Sequence, residues 1–301
     1  MAKLRVVVSL PNDNAYQHAQ GIAAKTTGDS LGLELQVMHA KDDSITQSQQ
    51  LLEIIQSPAA SRPSAFVVEP VTAAGLPRVA EAAVSAGIGW VVSNSDVTYV
   101  KQLRKNPRVP VFTVTQGQRE IGQIQGKQIA ELLPAGGSVL YIEGPSMSSV
   151  ADQRQAGTES SVPSNIQITT LRSKWSAESA TQSTGAWLRL ATSRTAKFDL
   201  VAGQTHELAL GAKKALQSVE DMDQRKTWLE VPFIGIGIAS QVKPLVDQKI
   251  LRAAVITSVT MELALRMLVR ALQTQAQPLE RTVVEASSFP DLQQLALECV
   301  R

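Results

Sequence analysis

Apolar residues along this chain follow two alternating rhythms. Residues 4–10, 33–38, 65–68 and 88–93 are short runs rich in Val, Leu and Ile. Between them, residues 15–30, 44–56 and 74–86 are longer and mix polar with apolar positions. Leu51, Leu52, Ile54 and Ile55 gather toward the end of the second, and Gly87 closes the third. Short apolar runs bounded by turn residues predict strands, and the longer mixed stretches predict helices. A strict strand–helix alternation predicts a parallel sheet with helices on both faces, and near-continuous apolar strands suit a sheet covered on both sides.

Asn106-Pro107-Arg108-Val109-Pro110 then punctuates the chain like a linker. After a brief strand at 111–114 the alternation resumes. Helices are predicted at 119–133, 150–161, 177–192, 206–217, 241–248 and 261–273. Strands are predicted at 138–142, 166–171, 199–202, 231–238, 252–257 and 282–285. Ile121, Ile124, Ile129, Leu132 and Leu133 form the apolar stripe of the first of these helices, which Pro134 and Gly136-Gly137 end. A first α/β unit is thus followed by a second of similar build, without a sequence repeat. Open parallel sheets bind ligands beyond the carboxyl ends of their strands. Those ends are polar here: 9–14, Glu69, Ser93-Asn94-Ser95-Asp96, 144–149, 204–206 and Thr257-Ser258. If the two lobes face one another, these groups converge on a cleft.

Composition narrows the function. The 301 residues suit two lobes, each about 120–150 residues. Net charge is +2, and the nearest thing to a basic patch is Lys101, Arg104 and Lys105. Nucleic-acid binding would require a dense basic face, so no nucleic-acid partner is expected. A single cysteine, Cys299, rules out an internal disulfide framework or a cysteine-based zinc site. Three apolar residues, Val6-Val7-Val8, follow Lys3 and Arg5, short of the roughly 7–15 of a secretory core. No stretch approaches the ~20 apolar residues of a membrane span, so no direct membrane insertion is expected. The chain is periplasmic if a signal segment has been removed, and cytoplasmic if Met1 is the native start.

Several motifs carry two readings. Gly235-Ile236-Gly237-Ile238-Ala239-Ser240 resembles the opening of a dinucleotide fingerprint, but Ser240 replaces the third glycine and 255–257 supplies no acid. A tight strand-to-helix turn is expected instead, and no cofactor. Ala135-Gly136-Gly137 is a helix stop without the Lys-Ser/Thr of a phosphate loop. His18, His39 and His206 lack metal-site spacing, and no GxSxG elbow is present. Trp175, flanked by Ser173, Lys174, Ser176 and Glu178, is either a hydrophobic plug or a flat platform for the C–H face of a sugar ring. Tyr16 is either a second such wall or a helix core residue.

The order of these elements resembles ribose-type periplasmic sugar-binding proteins and the related effector domains of LacI-type regulators. The resemblance rests on Val6 through Tyr16, on Val67-Val68-Glu69-Pro70-Val71, and on the segment from Ala86-Gly87-Ile88 to Ser93-Asn94. It rests further on Thr205-His206-Glu207-Leu208-Ala209-Leu210-Gly211-Ala212 and on 229–237. It implies two doubly wound parallel-sheet lobes joined by three crossover strands, an α/β type I periplasmic-binding fold. The N-terminal lobe would comprise 1–116 plus 259–286, and the C-terminal lobe 117–258 plus 287–301, with the ligand cleft between them. The ligand groups implied are Asp13, Tyr16, Glu69, Asn94, Gln118, Asp152, Trp175, Thr205, His206 and Ser258. The family's pattern is altered: one aromatic is replaced by Ala15, the first arginine of an Arg-x-Arg element by Asp152, and an acid by Gly237. Such changes alter the charge-assisted bonds that normally grip a sugar.

The function implied is non-catalytic binding of a small carbohydrate-like solute, a sugar or polyol. The chain would be the monomeric solute-binding component of an ABC importer, closing by a hinge and handing its ligand to the importer's membrane component. A cytoplasmic ligand sensor without a DNA-binding module is the second reading. An enzyme on a doubly wound fold is the third, and neither a cofactor fingerprint nor an activated nucleophile supports it.

Overall fold

A computed structural model describes residues 3–105, 108–146 and 148–299. Asn106 and Pro107 of the expected linker lie outside the described residues. The chain divides into two compact units. One runs from the N-terminus to Gln116 and includes Val259–Val284. The other comprises Gly117–Ser258 and the chain from Glu285 onward. The chain therefore passes between them three times.

The first unit holds β1 (Arg5–Leu10), α1 (Ala15–Ser30), β2 (Glu34–His39), α2 (Ser44–Gln56), β3 (Ala65–Val68), α3 (Pro77–Ser85), β4 (Gly89–Ser93), α4 (Val100–Leu103) and β5 (Val111–Gln116). The second opens with α5 (Gln118–Leu132), β6 (Gly137–Glu143), α6 (Ser149–Glu159), β7 (Ile166–Arg172), α7 (Ala177–Leu188), β8 (Leu200–Gly203), α8 (His206–Gln217), α9 (Met222–Glu230), β9 (Phe233–Ile238), α10 (Ala239–Asp247) and β10 (Ala253–Thr257). The chain returns to the first unit for α11 (Met261–Thr274) and β11 (Arg281–Val284). It ends in the second with β12 (Ser287–Phe289) and α12 (Leu292–Cys299).

Each unit is a six-stranded sheet of the same design. The orders are β11-β5-β4-β3-β1-β2 and β12-β10-β9-β8-β6-β7. Every pair in the first is parallel. In the second only β12, paired with β10, runs antiparallel. This is the two-lobed α/β architecture expected from the alternation of elements.

Strand periodicity places successive side chains on opposite faces, and the cores follow it. In the first unit Val7, Phe66, Val68, Trp90 and Val92 pack with α2, α3 and α4. Their sequence neighbours Val6, Val8, Val67 and Val91 pack with α1 and α11 through Ala24, Leu265 and Leu268. In the second unit Leu140, Ile142 and Val201 face α7, α8 and α9, where Phe198 and Trp228 stack at 5.2 Å. Val139, Tyr141 and Leu200 face α5 and α12.

Three details differ from the sequence expectation. The helix expected at 74–86 starts at Pro77, whose fixed φ suits the first helical turn. The helix expected to run to 192 stops at Leu188 and continues as a separate 3₁₀ turn at Ala191–Thr195. Gly235 and Gly237 lie within β9 and not in a strand-to-helix turn. A Cβ on Gly235 would stand 2.7 Å from His206 Cα, and one on Gly237 would stand 2.6 Å from His206 Nδ1. The paired glycines make room for a histidine.

Candidate functional site

A strand order of 2-1-3 reverses the winding direction between its first and third strands, and ligands of doubly wound sheets gather at that switch, outside the carboxyl ends. In the first unit the switch lies between β1 and β3, with α1 on one face and α2 on the other. The loop after β1 is shaped by Asn12 and Asn14. Asn12 Oδ1 accepts from the Asn14 amide at 3.1 Å, and Asn14 caps α1 by accepting from the Gln17 amide at 3.0 Å. This cap aims the first turn of α1 across the switch.

Glu69 follows β3 and is buried. Its Oε1 accepts from Gln17 Nε2 at 2.8 Å and from Asn94 Nδ2 at 2.9 Å. Its backbone is fixed as well: the amide donates to Ser9 O at 2.9 Å, and the carbonyl accepts from Gln47 Nε2 at 2.9 Å. Asn94 follows β4 with φ of 53°, a left-handed conformation that asparagine tolerates better than most residues. Gln116, the last residue of β5, donates from Nε2 to Asn94 Oδ1 at 3.0 Å and to the Tyr16 hydroxyl at 2.8 Å. A carboxylate, two primary amides and a phenol thus form one connected group, with Gln17 beside them. Among the described residues, the buried acceptors Gln17 Oε1 and Gln116 Oε1 have no protein partner.

The corresponding switch of the second unit lies between β6 and β8. Gln204 fills it. Its Oε1 accepts from the Gly144 amide at 3.0 Å, and its Nε2 donates to Ala151 O at 3.0 Å. Arg154, buried on α6, donates from Nε to Gln118 Oε1 at 2.9 Å and from Nη1 to Gln204 O at 2.7 Å. Its reach depends on close helix packing. A Cβ on Gly122 would meet Arg154 O, and a Cβ on Gly157 would meet Arg119 O, so α5 and α6 touch backbone to backbone.

The expected site residues fall into groups. Glu69, Asn94 and Tyr16 come together in the first unit, whereas Asp13 is exposed in the loop after β1. In the second unit Gln118 is bound to Arg154. Asp152, two residues earlier on α6, is exposed. Thr205 caps α8, accepting from the Leu208 amide at 3.2 Å. His206 is buried against β9 with Nδ1 3.3 Å from Ile236 O, and burial pushes its pKa below the usual 6.5. Trp175 is half-buried between β7 and α7, and its ring lies on Gly144, where any Cβ would strike it. Ser258 is half-buried just past β10.

Sequence reasoning overlooked Gln17, Gln20, Gln116 and Glu143; it placed Gln204 among the polar strand ends and Arg154 in the altered Arg-x-Arg element, without including either in the ligand set. Glu143 ends β6 with its side chain 1% exposed and pairs with Arg172 at 3.0 Å. Burial raises its pKa, opposed by Arg172. Of the basic cluster, Arg104 is spent on the backbone carbonyls of Val111 and Pro278. Among the described residues, no His, Cys, Asp or Glu group is arranged to hold a metal ion, and no helix is long and apolar enough to cross a membrane.

Comparison with known proteins identifies the family and the fold. The family model of the periplasmic binding protein domain matches residues 5–276. A D-ribose/D-allose-binding protein of Pseudomonas aeruginosa is 28% identical over 252 residues, covering 83% of this chain and 75% of that protein. Two solved structures share the fold. One is an ABC transporter periplasmic solute binding protein from Actinobacillus succinogenes with bound D-allose (TM-score 0.81, 17% identity, 97% of this chain and 99% of the other). The other is a Caulobacter myo-inositol binding protein bound to myo-inositol (TM-score 0.81, 18% identity, 97% and 96%).

Proposed function

The chain belongs to the periplasmic binding protein domain family, and from that premise we propose that it is the solute receptor of an ABC-type sugar importer. It holds a small polyhydroxylated solute, a sugar or cyclitol, and releases it unchanged to the importer's membrane component. The periplasm is the proposed compartment. The carboxyl-end groups of the first unit around Glu69 are proposed to engage the solute's hydroxyls, and Trp175 is proposed as an apolar platform.

Glu69 is the observation that carries this reading. A buried carboxylate stands at the switch point of the first sheet, oriented by two amides that donate to the same oxygen. Such a group accepts strongly from hydroxyl donors, because bonds to an ionised acceptor are roughly twice as strong as neutral ones. Gln17 Oε1 and Gln116 Oε1 are further buried acceptors close by in the network, and buried acceptors call for donors. A ligand with several hydroxyls meets that demand. The names of the relatives point the same way: D-ribose, D-allose and myo-inositol are all rich in hydroxyls.

Titration calorimetry with D-ribose, D-allose and myo-inositol tests the proposal. Saturable binding of at least one is expected. Glu69→Gln keeps an acceptor for both amides and removes the charge, so the fold should survive. Affinity should fall about 10- to 100-fold, roughly 1.5–3 kcal/mol for a bond to a charged group. Failure to bind any of the three, or an unchanged affinity in the variant, would overturn the reading.

A further inference from the structure

We infer that Tyr16 is a positioning residue whose phenol oxygen ties together the three places where the chain leaves or enters the first unit. The chain crosses between units after Gln116, after Ser258 and after Val284. Gln116 is the last residue of β5 before the first crossing, and one of its amide hydrogens goes to the Tyr16 hydroxyl at 2.8 Å. The same oxygen accepts from Gln20 Nε2 at 3.0 Å. Gln20 then reaches the second crossing twice: Nε2 donates to Thr260 Oγ1 at 2.9 Å, and Oε1 accepts from the Met261 amide at 3.0 Å. Thr260 Oγ1 is also 2.7 Å from Ser93 Oγ, at the end of β4. The third crossing joins through the sheet, since Val284 of β11 pairs in register with Gln116.

Local structure does not require this lacing. Asn14 already caps α1, and β5 is held by β4 and β11 on its two sides. Tyr16 and Gln20 stand one helical turn apart, the spacing that puts two side chains on the same face. Gln20, Gln116 and Thr260 are all buried. Removing the phenol oxygen would therefore leave two amide hydrogens without an acceptor in a site that water reaches poorly.

The lacing also meets the candidate ligand group. The second amide hydrogen of Gln116 goes to Asn94, and Asn94 donates to Glu69. A solute that engages Glu69 would thus pull on the same hydrogen-bonded chain that fixes the crossings. This last link rests on the reading of Glu69 given above, whereas the tie between the crossings does not.

Hydrogen exchange on the ligand-free protein separates the two. Tyr16→Phe deletes one oxygen. Gln20→Met cuts all three Gln20 bonds at nearly constant shape and serves as the second variant. Tyr141→Phe is the control, since it deletes a buried phenol oxygen that lies 3.3 Å from Thr158 in the other unit. Loss of bonds worth about 1 kcal/mol each should speed exchange roughly 5- to 10-fold at amides in 114–118, 257–263 and 282–286. The Tyr141→Phe control should leave those amides unchanged. Faster exchange confined to α1, or an equal effect in the control, would overturn the inference. Because no ligand is present, the result is read whether or not a sugar binds. Repeating the exchange with D-allose then tests the link to Glu69: wild-type protein should gain protection at the crossings, and Tyr16→Phe should gain less. Equal gains would overturn that link alone.

Discussion

The two units share one strand order and gather opposite charges around their corresponding switch points, from different elements. At the first switch a carboxylate, Glu69, accepts from two amides. At the second a guanidinium, Arg154, donates to an amide oxygen and a backbone carbonyl. In both cases neutral glutamines orient the charged group: Gln17 in one, Gln118 and Gln204 in the other. Topology therefore fixes where polar chemistry gathers, and leaves its sign open. A third buried charge, the Glu143 carboxylate at the end of β6, pairs with Arg172 at 3.0 Å.

The comparison breaks most directly if Arg154 is replaced. Arg154→Met keeps the stem and leaves Gln118 Oε1 and Gln204 O buried without these donors. Stability should fall by about 3 kcal/mol, the scale of losing bonds to a charged group, measured as a lower urea midpoint. A midpoint within error of wild type would mean that Arg154 is not the organising charge of its unit. A smaller effect is expected at Trp175. Trp175→Ala should weaken sugar binding by roughly 1–3 kcal/mol, as loss of buried apolar surface does, with the circular dichroism spectrum preserved. Unchanged affinity would leave Trp175 as a plug over Gly144.

The smallest effect concerns pH. His206 is held with a lowered pKa, chiefly by burial. As pH falls below the ordinary 6.5, the unfolded chain takes up this proton before the folded chain does. Stability from His206 is therefore complete above pH 6.5 and is lost as pH falls toward the lowered value. Glu143 has a raised pKa, so its contribution has the opposite slope, from 4.5 upward to its raised value. A stability series from pH 5 to 7 should accordingly be flatter on the acid side in His206→Gln than in wild type. Parallel curves would count against a buried neutral imidazole.

The sheets were legible because their strands are apolar on both faces, as Val6-Val7-Val8 and Trp90-Val91-Val92 show. α9 was not, because Trp228 is its sole buried residue and Met222 is exposed. β12 is a three-residue strand, too short to show a period. At the candidate site, Glu69 and Asn94 were legible as polar residues directly after apolar runs. Gln17 and Gln20 were not, since a glutamine on a helix looks the same whether it faces solvent or a buried acceptor. On α6 the sequence drew attention to Asp152, but residues two apart on a helix face different ways. Asp152 is exposed, and Arg154 is the buried one.

Asn94 is where two unrelated demands meet. Its backbone sits at φ 53°, which glycine accepts freely and asparagine tolerates. Its side chain must give a hydrogen to Glu69 and take one from Gln116. Glycine satisfies the first demand alone, glutamine the second alone, and aspartate cannot donate to a carboxylate while ionised. Asparagine is the common side chain that meets both. A directed-evolution library seeking a new ligand would find this position closed to single substitutions. It would have to reshape the specificity of the first unit around a fixed point.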